Sequence, residues 1–125
     1  MLTVLVVEDE FGIADLFDAV LSDEGYRVLT AMNGKQGLEM LAQERVELVF
    51  LDYMMPVMDG AAMLRGVMND PNLRDIPVVM MSSMLEETVA ERCIGYKVFM
   101  RKLFSLSELV EVAARMLDGK VPRLS

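Results

Sequence analysis

Thr3-Val4-Leu5-Val6-Val7-Glu8-Asp9-Glu10 opens the chain with an unbroken β-prone run that stops abruptly in three acids. A run with no polar alternation marks a strand buried on both faces, as in parallel sheets covered by helices. Helical spacing takes over at once. Between Glu10 and Asp23 the apolar residues Ile13, Leu16, Phe17, Val20 and Leu21 recur on one side, and Gly25 is placed to end the helix. The same alternation repeats along the chain. Strands are expected at Arg27–Thr30, Leu48–Leu51, Val78–Met81 and Val98–Arg101. Helices are expected near Lys35–Gln43, with Leu38, Leu41 and Ala42 inward, and near Ala61–Met68 and Leu85–Ile94, the last closed by Gly95. A final helix starts at the capping box Ser105-Leu106-Ser107-Glu108 and is lined by Leu106, Leu109, Val110, Ala113 and Leu117, with Gly119 past its end. Asn33-Gly34 reads as a turn, and Asn69-Asp70-Pro71-Asn72 as a loop. Five strands alternating with five helices imply an α/β doubly wound parallel sheet, with right-handed crossovers and helices on both faces.

Composition narrows the chemistry. The chain has 125 residues, the size of one domain, with 54% hydrophobic and 26% charged residues, a balance that excludes disorder. Its 12 basic and 20 acidic side chains leave a net charge of −8, which repels nucleic-acid phosphates. No histidine is present, so histidine triads, histidine-bearing zinc sites and a phosphohistidine carrier role are excluded. The single cysteine, Cys93, reads as a partly buried structural thiol. No apolar run approaches the ~18 residues that span a bilayer, and the acidic start lacks the basic region of a signal peptide. A cytoplasmic location away from any membrane is the expectation.

The acids fall where such a sheet binds ligands, beyond the carboxyl ends of its strands. The first strand ends in Glu8-Asp9-Glu10, the third in Asp52, the fourth in Ser82-Ser83 and the fifth in Lys102. Converging carboxylates repel by several kcal/mol, about 4 at contact range and an intermediate dielectric. A divalent cation removes that conflict, and an all-oxygen donor set favours Mg2+ or Mn2+ over zinc. Helix capping accounts for Glu10 by itself, but not for Asp9 facing Asp52.

Four blocks, each at the end of an expected strand, resemble the receiver domain of bacterial two-component response regulators. They are Val4-Leu5-Val6-Val7-Glu8-Asp9-Glu10, Phe50-Leu51-Asp52-Tyr53-Met54-Met55-Pro56-Val57-Met58-Asp59-Gly60, Pro77-Val78-Val79-Met80-Met81-Ser82-Ser83 and Lys102-Leu103-Phe104. The resemblance runs from Val4 to about Leu117. It implies a flavodoxin-like fold with strand order 2-1-3-4-5, a receiver domain over residues 1–119 and a short C-terminal tail at 120–125. It makes Asp52 the phosphoacceptor, with Asp9 and Asp52 as side-chain ligands of Mg2+, Glu8 acting through water, and Met54 contributing its backbone carbonyl. Ser82 and Lys102 would contact the phosphoryl group, and Phe99 would be the aromatic switch beside them. The implied donor is a sensor histidine kinase or a histidine phosphotransfer protein. The implied output is a downstream protein or a fused output domain, reached through the surface near the fourth helix, fifth strand and fifth helix, in a monomer or weak homodimer. A phosphoacceptor of this kind is a signalling protein rather than an enzyme.

The chain departs from the family pattern in places. Leu103 stands where proline usually follows the lysine, which leaves the isomer of the Lys102–Leu103 bond open. Arg101 is a second cation nearby, but strand alternation aims it at the opposite face. Phe99 lacks the hydroxyl of the tyrosine often found there. Of the 13 methionines, Met54, Met55, Met58, Met80, Met81, Met84 and Met100 lie in segments approaching the site. Adaptable packing is their ordinary role; Met54 and Met84 would in addition keep water from a bound phosphoryl group. The competing reading is a pseudo-receiver that binds proteins and is never phosphorylated, for which Leu103 is the main support. An aspartyl phosphatase would need a second acid at the Met54 position. A flavodoxin relative would need a Ser/Thr/Gly-rich loop where Glu8-Asp9-Glu10 stands.

Overall fold

Strand β1 (Thr3–Val7) is buried at every position, as an unalternated apolar run requires. The computed structural model describes residues 1–120, so positions 121–125 of the expected tail lie outside the described residues. After β1 come α1 (Phe11–Asp23), β2 (Arg27–Ala31), α2 (Gly34–Gln43), β3 (Leu48–Asp52), α3 (Gly60–Met68), β4 (Val78–Ser82), α4 (Glu86–Ala90), β5 (Val98–Arg101) and α5 (Leu106–Leu117). All strand pairs are parallel, and the sheet order is β2-β1-β3-β4-β5. The expected fold class and strand order are therefore those of the molecule.

Strand period divides the core into two layers. Val4, Val6, Leu48, Phe50, Val79, Met81 and Met100 pack with Phe17 and Leu21 of α1 and with Leu109, Val112, Ala113 and Leu117 of α5. Phe17 sits edge-on to Phe50, with ring centroids 5.4 Å apart, and to Phe104 at 5.6 Å. The alternate strand residues, among them Leu5, Val7, Val49, Leu51, Val78 and Met80, pack with Leu41 of α2, with Met63, Leu64 and Val67 of α3, and with Val89 and Cys93 around α4. Cys93 is buried, deeper than the partly buried thiol expected, because it packs into this layer beside α4.

Alternation also places the ends of the strands. Glu8, Asp52 and Lys102 continue the rows Val4-Val6, Leu48-Phe50 and Val98-Met100, because Cβ direction repeats every second residue. Backbone pairing persists one step past β1 and β5. The Glu8 N–H donates to the Ala31 carbonyl at 2.9 Å, and the Lys102 N–H to the Ser82 carbonyl at 2.8 Å. Three charged side chains thus emerge on one row at the carboxyl edge. Phe99, Arg101 and Tyr53 take the other row.

Local differences from expectation have identifiable causes. Asn33-Gly34 is no separate turn: the Asn33 side chain accepts from the Gln36 N–H at 2.9 Å and caps α2, whose first residue is Gly34. Helix α4 stops at Ala90 instead of reaching Ile94; β-branched Thr88 and Val89 are weak helix formers, and Val89 is its single buried residue. Leu16, Ala42 and Leu106 face outward, while Ala14 and Val112 hold the buried positions. Ser105 accepts from the Glu108 N–H at 3.1 Å, the forward half of the expected capping box. Asp59 caps α3 by accepting from the Ala62 N–H at 2.9 Å.

The loop between β3 and α3 is tightly bound. The Met58 N–H donates back to the Pro56 carbonyl at 2.8 Å across Val57, whose φ of 69° is the rarer, strained γ-turn hand for a β-branched residue. The Gly34 N–H reaches the Met58 carbonyl at 2.9 Å, and the Gly60 N–H the Tyr53 carbonyl at 2.8 Å. A Cβ on Gly60 would collide with the Asp52 carbonyl oxygen and lie 2.8 Å from Tyr53 Cα, both rigid backbone. Gly60→Ala is therefore expected to lower the unfolding free energy by about 1–3 kcal/mol. Gly12→Ala, in open space on α1, should raise it by roughly 0.5–1 kcal/mol. Urea denaturation midpoints that move in the same direction for the two variants would contradict this.

Candidate phosphoacceptor site

The row that carries Glu8, Asp52 and Lys102 past the sheet edge ends in a cleft of about 220 Å³. It is lined by Glu8, Asp9, Glu10, Asp52, Met54, Ser82, Ser83 and Lys102. Of the residues expected to act at the site, Phe99 and Met84 are not in this lining. The Lys102 Nζ donates to Glu8 Oε1 at 2.9 Å and lies 3.2 Å from Asp52 Oδ1. Glu8 is 2% exposed and its second oxygen accepts the Glu10 N–H at 3.3 Å; Asp52 is 6% exposed. The expected capping role of Glu10 is not made by its side chain, which forms no cap hydrogen bond.

Glu8, Asp9 and Asp52 each present a carboxylate oxygen within 4.8 Å of the others. Three carboxylates against one ammonium leave the cluster short of positive charge, and its donors are all oxygen. That set fits a hard divalent cation. Asp9 is half-buried and open to the cleft, while Met54 is 66% exposed.

Ser82 Oγ accepts the Met84 N–H at 3.0 Å, which holds the hydroxyl at the cleft and leaves its proton free to donate. The Lys102–Leu103 peptide bond is cis, with Leu103 fully exposed. Arg101 takes the opposite face, where its Nε approaches the Ser83 carbonyl at 3.4 Å. Phe99 is half-buried against the α2–α4 layer, 6.3 Å between ring centroids from Tyr96, whose hydroxyl donates to Glu86 at 2.8 Å.

Residues 4–114 match the family model described as the response regulator receiver domain. The chain belongs to that family. Among relatives, the two-component response regulator ORR3 of Oryza sativa is 34% identical over 91% of this chain and 89% of its own length. Sporulation initiation phosphotransferase F of Bacillus subtilis is 32% identical over 94% of each. Response regulator PleD of Caulobacter vibrioides is 41% identical over 65% of this chain, which spans 18% of that longer protein. Among solved structures, the signal receiver domain of a histidine kinase from Syntrophus aciditrophicus superposes with a TM-score of 0.89. It has 27% identity, over 100% of this chain and 98% of that one. The chemotaxis response regulator CheY4 of Vibrio cholerae superposes at 0.87 with 26% identity, over 94% and 99%.

A second groove of about 360 Å³ adjoins the cleft in this receiver domain, lined by Asp9, Tyr53, Met54, Met55, Pro56, Asp59 and Arg92. Sequence reading missed Tyr53 and Arg92 as neighbours of the site. They are far apart in the chain, and no spacing pattern joins them.

Electrostatics in the receiver site follow from burial. The Asp52 carboxyl is pushed up to about 7, first by burial and then by the charge of Glu8, with Lys102 pulling the other way. For Lys102, burial works against the charged form. Its hydrogen bond to Glu8 and the charges of Asp52 and Glu8 outweigh burial and raise it above the ordinary value. Unfolded, the Asp52 carboxyl titrates near 3.8, so between there and about 7 the folded chain holds a proton that the unfolded chain releases. Stability therefore falls as pH rises through that window. Asp52→Asn, which cannot ionise, is expected to resist urea better than the parent at about pH 8 without divalent cations, with the advantage fading toward about pH 4. Parallel curves for the two proteins across that range would rule this out.

Proposed function

We propose that Asp52 accepts a phosphoryl group from a phosphohistidine on a sensor histidine kinase or histidine phosphotransfer protein. The observation that carries this reading is the buried Asp52 carboxylate, held by Lys102 beside Glu8 and Asp9 in one cleft. Asp9 and Asp52 would hold Mg2+ (or Mn2+) through side-chain oxygens, Met54 through its backbone carbonyl, and Glu8 through water. A bound divalent ion supplies positive charge to the transferring oxygens.

The chain's own groups account for the rest of the reaction. An Asp52 oxygen attacks phosphorus, forming a P–O bond as the P–N bond breaks and the imidazole leaves on the donor protein. Lys102, already 3.2 Å from Asp52 Oδ1, donates to the negative oxygens, and the Ser82 hydroxyl adds a neutral hydrogen bond. Ser82 moving toward the new oxygens vacates space into which Phe99 turns. The surface near α4, β5 and α5 then shifts between two states toward a downstream protein or a fused output domain. Residues 1–119 act as this cytoplasmic signalling unit, as monomer or weak homodimer, without direct nucleic-acid or membrane contact. Leu103 was the support for a receiver that is never phosphorylated. Against that reading, Lys102 with leucine beside it lies 2.9 Å from Glu8 and 3.2 Å from Asp52.

Intact mass after incubation with acetyl phosphate and Mg2+ tests the proposal. The parent should gain one phosphoryl group, and Asp52→Ala should gain none; an unmodified parent would defeat it. Met54 borders both the cleft and the groove, where its apolar chain shields the phosphoryl group from water. Met54→Asn should shorten the lifetime of the phosphorylated form on the order of a few-fold. Equal decay rates would remove that role.

A further inference from the structure

One arginine beside the cleft has no part in the phosphotransfer just described. Tyr53 follows Asp52 directly and, by strand alternation, turns its ring the other way, into the layer that holds Val89 and Cys93. The ring is buried, and a buried phenol needs a hydrogen-bond partner. Among the described residues that partner is Arg92, whose Nη1 donates to the Tyr53 hydroxyl oxygen at 3.4 Å. The other arm of the same guanidinium, Nη2, lies 3.9 Å from Asp59 Oδ2.

Tyr53 and Asp59 are the two ends of one loop. The Gly60 N–H closes it on the Tyr53 carbonyl at 2.8 Å, and Asp59 starts α3 from it. Met54, assigned above to present its carbonyl to a cation, is in that loop. Arg92 itself belongs to the segment after α4, a helix of 5 residues with no side-chain cap at its start. Val89 and Cys93, on either side of Arg92, are buried against the layer that includes Tyr53. A single planar cation therefore ties the segment that follows the shortest helix among the described residues to both ends of the loop that frames Asp52.

We infer that Arg92 is a positioning residue for the phosphoacceptor loop, and that it links cation binding at Asp52 to the order of the α4 segment. The inference rests on the divalent-ion reading of the cleft. A cation held by the Met54 carbonyl narrows the conformations of the loop, which keeps the Tyr53 hydroxyl and the Asp59 carboxylate at a fixed spacing. A forked guanidinium engages two acceptors at fixed spacing better than a point charge does. By linkage, whatever orders Arg92 and α4 then favours the cation to the same degree. Both contacts are long and the arginine side chain is 59% exposed, so the coupling is modest.

The test uses the full chain with Mg2+ alone, read by titration calorimetry and by amide hydrogen exchange over Glu86–Cys93. In the parent, Mg2+ should slow exchange across that segment. Arg92→Gln should bind Mg2+ roughly threefold to tenfold more weakly and lose the Mg2+-dependent slowing. Arg92→Lys, which keeps the charge and loses the fork, should stay close to the glutamine variant. Tyr53→Phe, which removes one acceptor and retains the packing, should fall between parent and Arg92→Gln. A purely structural arginine would lower the urea midpoint while leaving Mg2+ affinity and Mg2+-dependent exchange at parental values, and that result overturns the inference. A parent that binds no Mg2+ overturns the cation reading and this inference together. A parent that binds it normally, with Arg92→Gln unchanged, overturns this one alone.

Discussion

One ammonium facing three carboxylates is the constraint around which this receiver domain is organised. Lys102 lies between Glu8 and Asp52 at 2.9 and 3.2 Å, and Asp9 brings a third oxygen within 4.8 Å of theirs. Burial makes the imbalance costly, because two such acids at contact repel by about 4 kcal/mol at an intermediate dielectric. Burial first, and the charge of Glu8 second, raise the Asp52 carboxyl, with Lys102 pulling the other way. A divalent cation would relieve that crowding, and the all-oxygen donor set suits one.

The sheet is what imposes this closeness. Strands β1, β3 and β4, buried along their whole length, fix the backbone within a continuous parallel ladder, and side-chain period then sends every second residue to one side. Glu8, Asp52 and Lys102 come out on the row that the α1–α5 layer covers, at the edge where that cover ends. Rigidity continues into the β3–α3 loop. There Gly60 admits the Asp52 backbone, and Val57 accepts a left-handed φ. Strain at Val57 is held by hydrogen bonds on both sides, from Met58 to Pro56 and from Gly34 to Met58.

Signalling needs part of the fold to be less firmly held. Helix α4 has 5 residues, no side-chain cap and one buried residue, in contrast to α5 with its capped start and its buried row of Leu109, Val112, Ala113 and Leu117. Elements that switch are drawn from the low-stability end of a structure. Among the described residues, polar ties of α4 and the segment after it run from Tyr96 to Glu86 and from Arg92 to Tyr53 and Asp59. Phe99, which has no hydroxyl, packs beside a tyrosine whose hydroxyl is anchored on α4.

Sequence alone determined the strand–helix alternation, the doubly wound α/β class with helices on both faces of the sheet, and the location of the acids at strand ends. These depend on local period and on apolar runs, which survive without knowledge of distant contacts. It also pointed to Glu8, Asp9, Asp52, Ser82 and Lys102, which line one cleft, since each lies within two residues of the end of a legible strand. Tertiary structure decided what local rules cannot carry. Thr88 and Val89 weaken a helix that periodicity extends to Ile94, and Leu16, Ala42 and Leu106 lie on faces that no neighbour covers. Arg92 meets Tyr53 across 39 positions of chain, a proximity created only when α4 folds onto the layer beneath it. Long-range contact is a property of the packed sheet and helices, and no periodicity in the chain encodes it.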